Sequence, residues 1–300
     1  MSGATEALGR QIAATQDLSA VVRSMKALAA SSITQYERSV EALTDYFHTV
    51  ELALSVCLRQ RVTVSLPAAT AVPKTRSAIL FGSDQGLVGR FNEVLMDYSA
   101  QTLASLPGKT LKIWTVGERI RALVTDAGLP EPTNFAVPIT IDGITPLVGA
   151  ILIAIEAQLE QDRNGEIYLF HNAPLAGSIY QPVAKRLLPL DKSWERDLAR
   201  LPWPGKALPE VIGPTAAALA AIIRGYLFVL IFQACAQSLA SENASRLAAM
   251  QRAEQNIADL LGDLTRSYHR LRQESIDEEL REVISGYEAL LGAAVPAPIV

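Results

Sequence analysis

The sequence predicts an α/β protein in which a long antiparallel two-helix coiled coil, made by both termini, carries a central Rossmann-like α/β domain. Two long stretches near the ends are nearly free of proline and repeat apolar residues every three or four positions, which is typical of helices paired along a seam. Between them, short apolar runs alternate with helical stretches, which favours a parallel sheet. We expect an N-terminal coiled-coil helix over residues 1–62, a central domain over 76–200 and a C-terminal helix over 208–290.

The C-terminal helix is the longer of the two. Residues 215–287 contain no proline, and a continuous helix of that length would be on the order of 110 Å long. A domain of this size is narrower than that, so the helix must extend beyond it. Its central seam follows heptad spacing, with Glu254 at one position where an apolar residue is expected. The apolar seam residues are Leu247, Met250, Ile257, Leu261, Leu264, Tyr268 and Leu271.

The heptad pattern slips by one residue at positions 272–275. Beyond the slip, the apolar residues keep their spacing but are out of phase: Ile276, Leu280, Val283, Tyr287 and Leu290. A break in phase changes the winding of a coiled coil. The apolar stripe beyond the slip is therefore predicted to face something other than the first helix.

The N-terminal stretch supplies the partner helix. Residues 5–61 contain no proline, and Gly9 is their only glycine, which favours a long helix. Its apolar positions are Val22, Met25, Ala29, Ile33, Tyr36, Val40, Leu43, Phe47, Val50 and Leu54. With a globular segment between them, the two helices are predicted to pair antiparallel.

The central segment alternates strand and helix patterns. Strands are expected at residues 77–81, 110–116, 134–141 (interrupted by Pro138) and 166–170, and helices at 91–106, 118–127 and 145–161. A proline-rich stretch follows, with a hairpin or edge strand predicted at 183–190.

Composition excludes several classes of protein. The 300 residues are 49% hydrophobic, enough for a sizeable core, and the net charge of −4 gives no basic footprint for nucleic acid. The two cysteines, Cys57 and Cys235, form no metal or redox motif and are expected to be buried thiols. No signal-peptide pattern occurs at the N-terminus, so an intracellular prokaryotic protein is expected.

One stretch, residues 216–236, has the length of a membrane span. Arg224 near its middle disfavours insertion. Burial against the central domain is the favoured interpretation.

The loop after the first strand resembles a ligand loop. Residues 82–92 join a strand to a helix, where backbone N–H groups can hold a phosphate. They form neither a dinucleotide fingerprint nor a P-loop. The alternative is a structural turn containing Ser83, in which Gly86 and Gly89 permit a sharp bend and Asp84 caps it.

No catalytic constellation is evident. His171 ends a strand, where a catalytic residue of an α/β sheet often lies, but it has neither a nucleophile motif nor an acidic partner in the sequence. His48 and His269 lie beside seam positions. Arg272 and Gln273 differ from the other charged residues of the last helix because they coincide with the phase slip; a guanidinium and an amide there suit a partner's carboxylate.

Four stretches resemble the gamma subunit family of F-type ATP synthases. Residues 238–250 are similar to its SLASEHAARMxAM stretch, and residues 267–286 to its YNKARQASITxELxEIxSG end. Residues 83–92 resemble its SDRGLCGGFN loop, and residues 24–31 its KAMKMVAAAK stretch. The matches lie at both ends and in the middle, so the resemblance covers nearly the whole chain.

The resemblance implies a central rotor shaft without an active site or cofactor. The paired helices would lie inside a hexamer of alpha and beta subunits, and the α/β domain would sit on the c ring beside the epsilon subunit. This places the protein on the cytoplasmic face of the prokaryotic inner membrane. Proton or sodium transport would thereby be coupled to ATP turnover.

The resemblance also assigns partner-binding residues. Arg272 and Gln273 match an Arg-Gln pair that contacts a beta-subunit loop. Met25 and Lys26 match a pair that faces the hexamer wall and the second helix, and Arg246 matches the arginine of the SEHAAR stretch.

The sequence departs from the family pattern at several positions. Gln85, Val88 and Arg90 replace the family's Arg, Cys and Gly in the loop, and most basic residues after Lys26 are absent. The divergence points to an alternative bacterial branch, such as the sodium-linked N-ATPase type. Two other classes remain open from the residues themselves: a nucleotide-binding Rossmann-like enzyme with helical arms, and a plain coiled-coil adaptor.

Overall fold

The computed structural model describes residues 2–59, 75–106, 108–162, 165–175, 178–190, 192–207, 209 and 215–293. The chain divides into two compact units. One comprises residues 28–249, and the other comprises residues 1–27 together with 250–300. Both terminal helices run through both units.

The N-terminal helical stretch is two helices, α1 (Ser2–Ala42) and α2 (Thr44–Arg59), rather than the predicted single helix. At the break, Leu43 N–H donates to the Val40 carbonyl at 3.2 Å, three residues back, and Phe47 N–H to the Leu43 carbonyl at 2.8 Å. The turn tightens for one residue and the ordinary helical pattern then resumes. Neither proline nor glycine marks this break in the sequence.

The central domain contains one five-stranded sheet in the order β3-β2-β1-β4-β5. Its strands are β1 (Thr75–Phe81), β2 (Lys109–Val116), β3 (Thr133–Phe135), β4 (Glu166–Leu175) and β5 (Ser178–Leu188). The first four run parallel, and β5 pairs antiparallel with β4 at the edge. The predicted α/β class, parallel sheet and edge strand are confirmed.

Strand β3 is shorter than predicted. It ends at Phe135 instead of reaching residue 141, and Pro138 in the abandoned part has no N–H group to donate to a neighbouring strand. A short 3-10 turn, Ile141–Gly143, follows and leads into the next helix.

Helices α3 (Phe91–Ser105), α4 (Glu118–Asp126) and α5 (Ile144–Gln161) lie close to their predicted positions. Helix α6 (Lys192–Ala199) was not predicted, because it is short and mostly polar. Helix α7 (Thr215–Ala293) is one continuous helix of 79 residues, which confirms the long C-terminal helix.

The core of the domain has two layers. One layer joins strand residues to α2, α5 and α7, and includes Trp114, Ile151 and Ile231. The other joins strand residues to α3 and α4, and includes Leu95 and Ile120. Helix α7 therefore buries its apolar N-terminal third against the sheet domain, as the sequence predicts for residues 216–236.

Two helical stretches, residues 141–161 and 216–288, are long and apolar enough to cross a membrane by length and composition. In the most apolar window of each stretch, 33% of the residues of the first and 50% of those of the second are buried inside the protein. Core helices meet the same criterion, so this observation alone is weak evidence for a span.

The second unit is an antiparallel helix pair. Lys26 of α1 contacts Glu254 of α7, and Gly9 lies against the ring of Tyr268. Partner positions thus run in opposite directions along the two helices, which confirms the predicted antiparallel pairing.

Candidate functional site

The loop at residues 82–90 follows β1 at the point where the strand order reverses. Strand β1 lies between β2 and β4, both parallel to it. Ligands of open α/β sheets bind in the crevice at such a reversal, beyond the carboxyl ends of the strands. This position therefore tests the nucleotide hypothesis.

Ser83 is held by the first turn of α3. Its N–H donates to Asn92 Oδ1 at 3.0 Å, and Asn92 Nδ2 donates to Ser83 Oγ at 2.9 Å. Both residues are buried. A donor that a phosphate would need is thus already used inside the protein.

Asp84 caps a helix other than the one its own loop begins. Its carboxylate accepts from Glu118 N–H at 3.0 Å and from Val137 N–H at 3.1 Å. The first contact caps α4, and the second holds the segment after β3. Asp84 therefore ties together the carboxyl ends of β1, β2 and β3.

The bend in the loop falls on Leu87 and Gly89. Their φ angles are 63° and 59°, in the left-handed region that disfavours a Cβ. The prediction is confirmed for Gly89, whereas Gly86 does not have a positive φ. Instead, Arg119 lies over Gly86, with its Nη2 3.3 Å from the position that a Cβ would occupy.

Helix α7 occupies the crevice. Ser238 Oγ donates to the Phe81 carbonyl at 3.1 Å, and Ser245 Oγ donates to the Val88 carbonyl at 2.5 Å. With Ser241, these serines lie on one buried face of α7. The space that binds a ligand in enzymes of this topology is thus filled by the chain's own helix.

Glu242 is on the same buried face. Arg246 Nη2 donates to Glu242 Oε1 at 2.6 Å, while Oε2 has no partner among the described residues. Burial raises the pKa of the Glu242 carboxyl, and the neighbouring Arg246 opposes that shift. The Arg246 side chain is only 15% exposed, so in this chain it neutralises a buried acid; its predicted role in partner binding stays a prediction.

His171 is buried beside α7. Its Nε2–H donates to Gln237 Oε1 at 2.9 Å, and its Nδ1 has no partner in the described part of the chain. Burial lowers the pKa of the imidazole to about 4. The ring is therefore neutral at physiological pH and contributes to the contact between the sheet and α7.

Replacing His171 with Gln is expected to reduce the sensitivity of the protein to acid. The pKa of His171 falls from 6.5 in the unfolded chain to about 4 in the folded protein. Below pH 6.5 the unfolded chain binds a proton that the folded protein does not, so the contribution of His171 to the free energy of unfolding is complete above pH 6.5 and is lost as the pH falls toward 4. A shift of this size corresponds to roughly 3 kcal/mol. Urea unfolding at a series of pH values should show the wild-type advantage over His171→Gln shrinking between pH 7 and 4; a constant difference would contradict the assignment.

Arg272 and Gln273 are exposed on the helix-pair unit. Arg272 makes no ion pair with any residue that the structure describes. It lines an open groove of about 690 Å³ between the two helices. The other lining residues are Thr5, Glu6, Gly9, Arg10, Ala13, Tyr268, Ser275, Ile276 and Glu279.

Met25 and Lys26 are both half-buried. Lys26 Nζ lies 2.6 Å from Glu254 Oε2, and Arg23 Nε lies 3.8 Å from Glu254 Oε1. The hydrogen bond from Lys26 lowers the pKa of the Glu254 carboxyl. The charged residue that interrupts the apolar seam of α7 is thus matched by a cation on α1.

The apolar stripe beyond the phase slip is exposed. Ile276, Leu280, Val283 and Tyr287 are between 54% and 69% exposed, and the side chain of Leu290 lies outside the described residues. Ser275, in phase with the earlier seam, is half-buried. Ile276 itself lines the groove beside Thr5 and Gly9 of α1. That the shifted stripe faces something other than the first helix therefore stays a prediction.

Several residues of these sites were missed from the sequence. Ser238 and Ser245 are two turns apart in an apolar helix, and this spacing was the available signal for a polar face. Arg10 and Arg23 carry no signal beyond their charge. The sequence alone does not show that Glu242 is buried.

The fold and sites define a protein class in which a terminal helix pair is joined to an α/β domain whose ligand crevice is filled from within. The particular family follows from comparison with known proteins. A family model described as ATP synthase matches residues 4–290, and the chain belongs to the ATP synthase gamma family.

Individual relatives are similar in sequence along the whole chain, and a solved structure is similar in fold. The ATP synthase gamma chain of Parafrankia sp. (strain EAN1pec) is 28% identical, covering 98% of this chain and 100% of the relative. That of Frankia casuarinae is 27% identical, with 97% and 99% covered. A chain in a cryo-EM structure of Euglena gracilis mitochondrial ATP synthase (OSCP/F1/c-ring) has the same fold, with a TM-score of 0.66, 14% identity, and 100% and 99% of the two chains covered.

Proposed function

We propose that this chain is the central rotor shaft of a rotary F-type ATP synthase. It couples ion flow through the c ring to ATP synthesis or hydrolysis in the alpha/beta hexamer. The observation that carries the proposal is the antiparallel helix pair with an exposed apolar stripe at the end of α7, in a chain whose relatives are gamma chains along their full length.

The helices suit a part that transmits force. A continuous helix of 79 residues measures about 120 Å at 1.5 Å per residue. The part of α7 from Leu219 to Ala240 is anchored in the domain core. Ser238 and Ser245 add hydrogen bonds to the sheet and its loop, so the domain and this part of α7 turn together.

The shaft acts on catalytic sites that belong to other chains. The crevice of its own sheet is filled by α7, so we assign this chain no catalytic residue, cofactor or substrate. On this proposal, rotation of the shaft presents a different face to each of three beta subunits.

Arg272 and Gln273 are proposed to bind a beta-subunit loop. Arg272 makes no ion pair with a described residue, and its guanidinium can therefore hold a carboxylate in two hydrogen bonds. Met25, Lys26 and Arg246 are proposed to support the contact with the hexamer. Within the chain itself, Lys26 also binds Glu254. The conformation of the loop after β1 is proposed to depend on Ser83, Asp84, Gly86 and Gly89.

The proposed partners are the alpha, beta and epsilon subunits and the c ring. The solved neighbours support this assembly, because they are chains of ATP synthase structures described as containing F1, the c ring or the rotor. The proposed location is the cytoplasmic face of the inner membrane, where such a complex meets its ring.

Purification of the tagged full-length chain from native membranes tests the function. We expect alpha, beta, epsilon and c subunits in the eluate, with ATPase activity, and none of them from an untagged strain. Recovery of the chain without beta and c subunits would overturn the proposal. Micromolar binding of ADP or NAD by the isolated chain would instead support the enzyme alternative.

A further inference from the structure

Burial in the helix-pair unit is concentrated at one place. Among its described residues, the buried apolar side chains are Val22, Met250 and Ile257. No described residue between Gly3 and Val21 is buried. Since apolar burial supplies most of the free energy that holds such a pair together, the N-terminal part of α1 is held more weakly than the part at Val22.

The seam of this N-terminal part is also poor in apolar groups. The heptad positions that precede Val22 are Thr5, Leu8, Ile12, Thr15 and Ser19, all half-buried. The two nearest Val22 carry hydroxyls, and Thr15 Oγ1 donates to the Gln11 carbonyl of its own helix at 2.7 Å. Gly9 offers no side chain to interlock with the Tyr268 ring.

An ion pair lies at the root of this segment. Lys26 lies four residues after Val22, next to the seam residue Met25, and its Nζ is 2.6 Å from Glu254 Oε2. Both side chains remain about one-third exposed. Salt therefore screens the attraction between them.

We infer that residues 3–21 of α1 form an arm that opens from α7 as one unit, and that the Lys26–Glu254 ion pair is the clasp at its root. The arm has 19 residues. Most of the stability of a helix in a protein comes from packing against a partner, so the opened arm loses helical structure. Segments with few buried contacts are the ones that open locally.

The inference does not rest on the rotor function, because it concerns the isolated chain. Hydrogen exchange of the full-length protein, followed by mass spectrometry, tests it. Amides of residues 3–21 should exchange together, at least tenfold faster than those of residues 22–29 and 250–260. Raising NaCl from 0.05 to 1 M should accelerate amide exchange of residues 3–21 several-fold further.

Variants separate the clasp from general fraying of a helix end. Lys26→Met is expected to accelerate exchange of the arm several-fold and to remove its salt dependence. Lys26→Glu combined with Glu254→Lys should restore most of the protection. The matched control, Arg90→Met, breaks an exposed 3.8 Å pair with Asp97 and should leave the arm unchanged.

Two results would overturn the inference. One is equal protection of residues 3–21 and 22–29 in the wild-type chain. The other is fast exchange of the arm that responds neither to salt nor to Lys26→Met.

Discussion

Arg272→Ala is expected to lower the coupled ATP turnover of the assembled complex several-fold while leaving the isolated chain folded. The guanidinium is exposed and makes no ion pair with any residue described in the structure. Its removal therefore costs the isolated chain no ion pair with a described residue. In the complex, it removes the proposed charge-assisted, bidentate contact with a beta-subunit carboxylate. Gln273→Leu should act in the same direction, because it deletes the neighbouring amide.

The matched control for this prediction is Arg270→Ala. Arg270 lies two positions away on the same helix and makes only a 4.0 Å contact with Glu274. Turnover and ion pumping are measured in the same membrane preparation, and circular dichroism of the isolated chain reports folding. Wild-type turnover in Arg272→Ala, or an equal loss in Arg270→Ala, would contradict the assignment of Arg272 without affecting the rotor assignment.

The long helices and the parallel sheet were predictable because each is encoded by a short-range period. Heptad spacing gave the seam of α7 and the antiparallel partner. Glu254 is the instructive exception, since a charged residue in a seam is unexplained until Lys26 is found opposite it.

The filled crevice was not predictable from local pattern. Ser238 contacts the carbonyl of Phe81, 157 residues away in the chain, and no periodicity links the two. The break at Leu43 lies in an uninterrupted heptad pattern. Helix α6 lacks a long apolar period, and Trp194 anchors it by packing 4.8 Å from the Tyr226 ring. The filled crevice and helix α6 therefore depend on contacts between residues that are far apart in the sequence, which local patterns do not encode.

Arg76→Met is expected to cause the largest loss of stability of any single substitution considered for this protein. Arg76 is 6% exposed. Its Nη1 donates to the carbonyls of Leu103 and Leu106, each at 2.5 Å, and its Nη2 donates to that of Gly108. These carbonyls lie at and just beyond the C-terminal end of α3, where the backbone of a helix lacks its own donors and carries partial negative charge.

Removing the guanidinium leaves all three carbonyls without this donor at the edge of the core. Each unsatisfied buried group costs about 1–3 kcal/mol, and the expected loss in the free energy of unfolding is about 3–5 kcal/mol. Arg76→Lys should recover only part of it, because an ammonium cannot reproduce the planar fork. Urea unfolding of the isolated chain measures the effect. The exposed Arg90→Met is the matched control; similar midpoints for Arg76→Met and Arg90→Met would show that Arg76 does not anchor the end of α3.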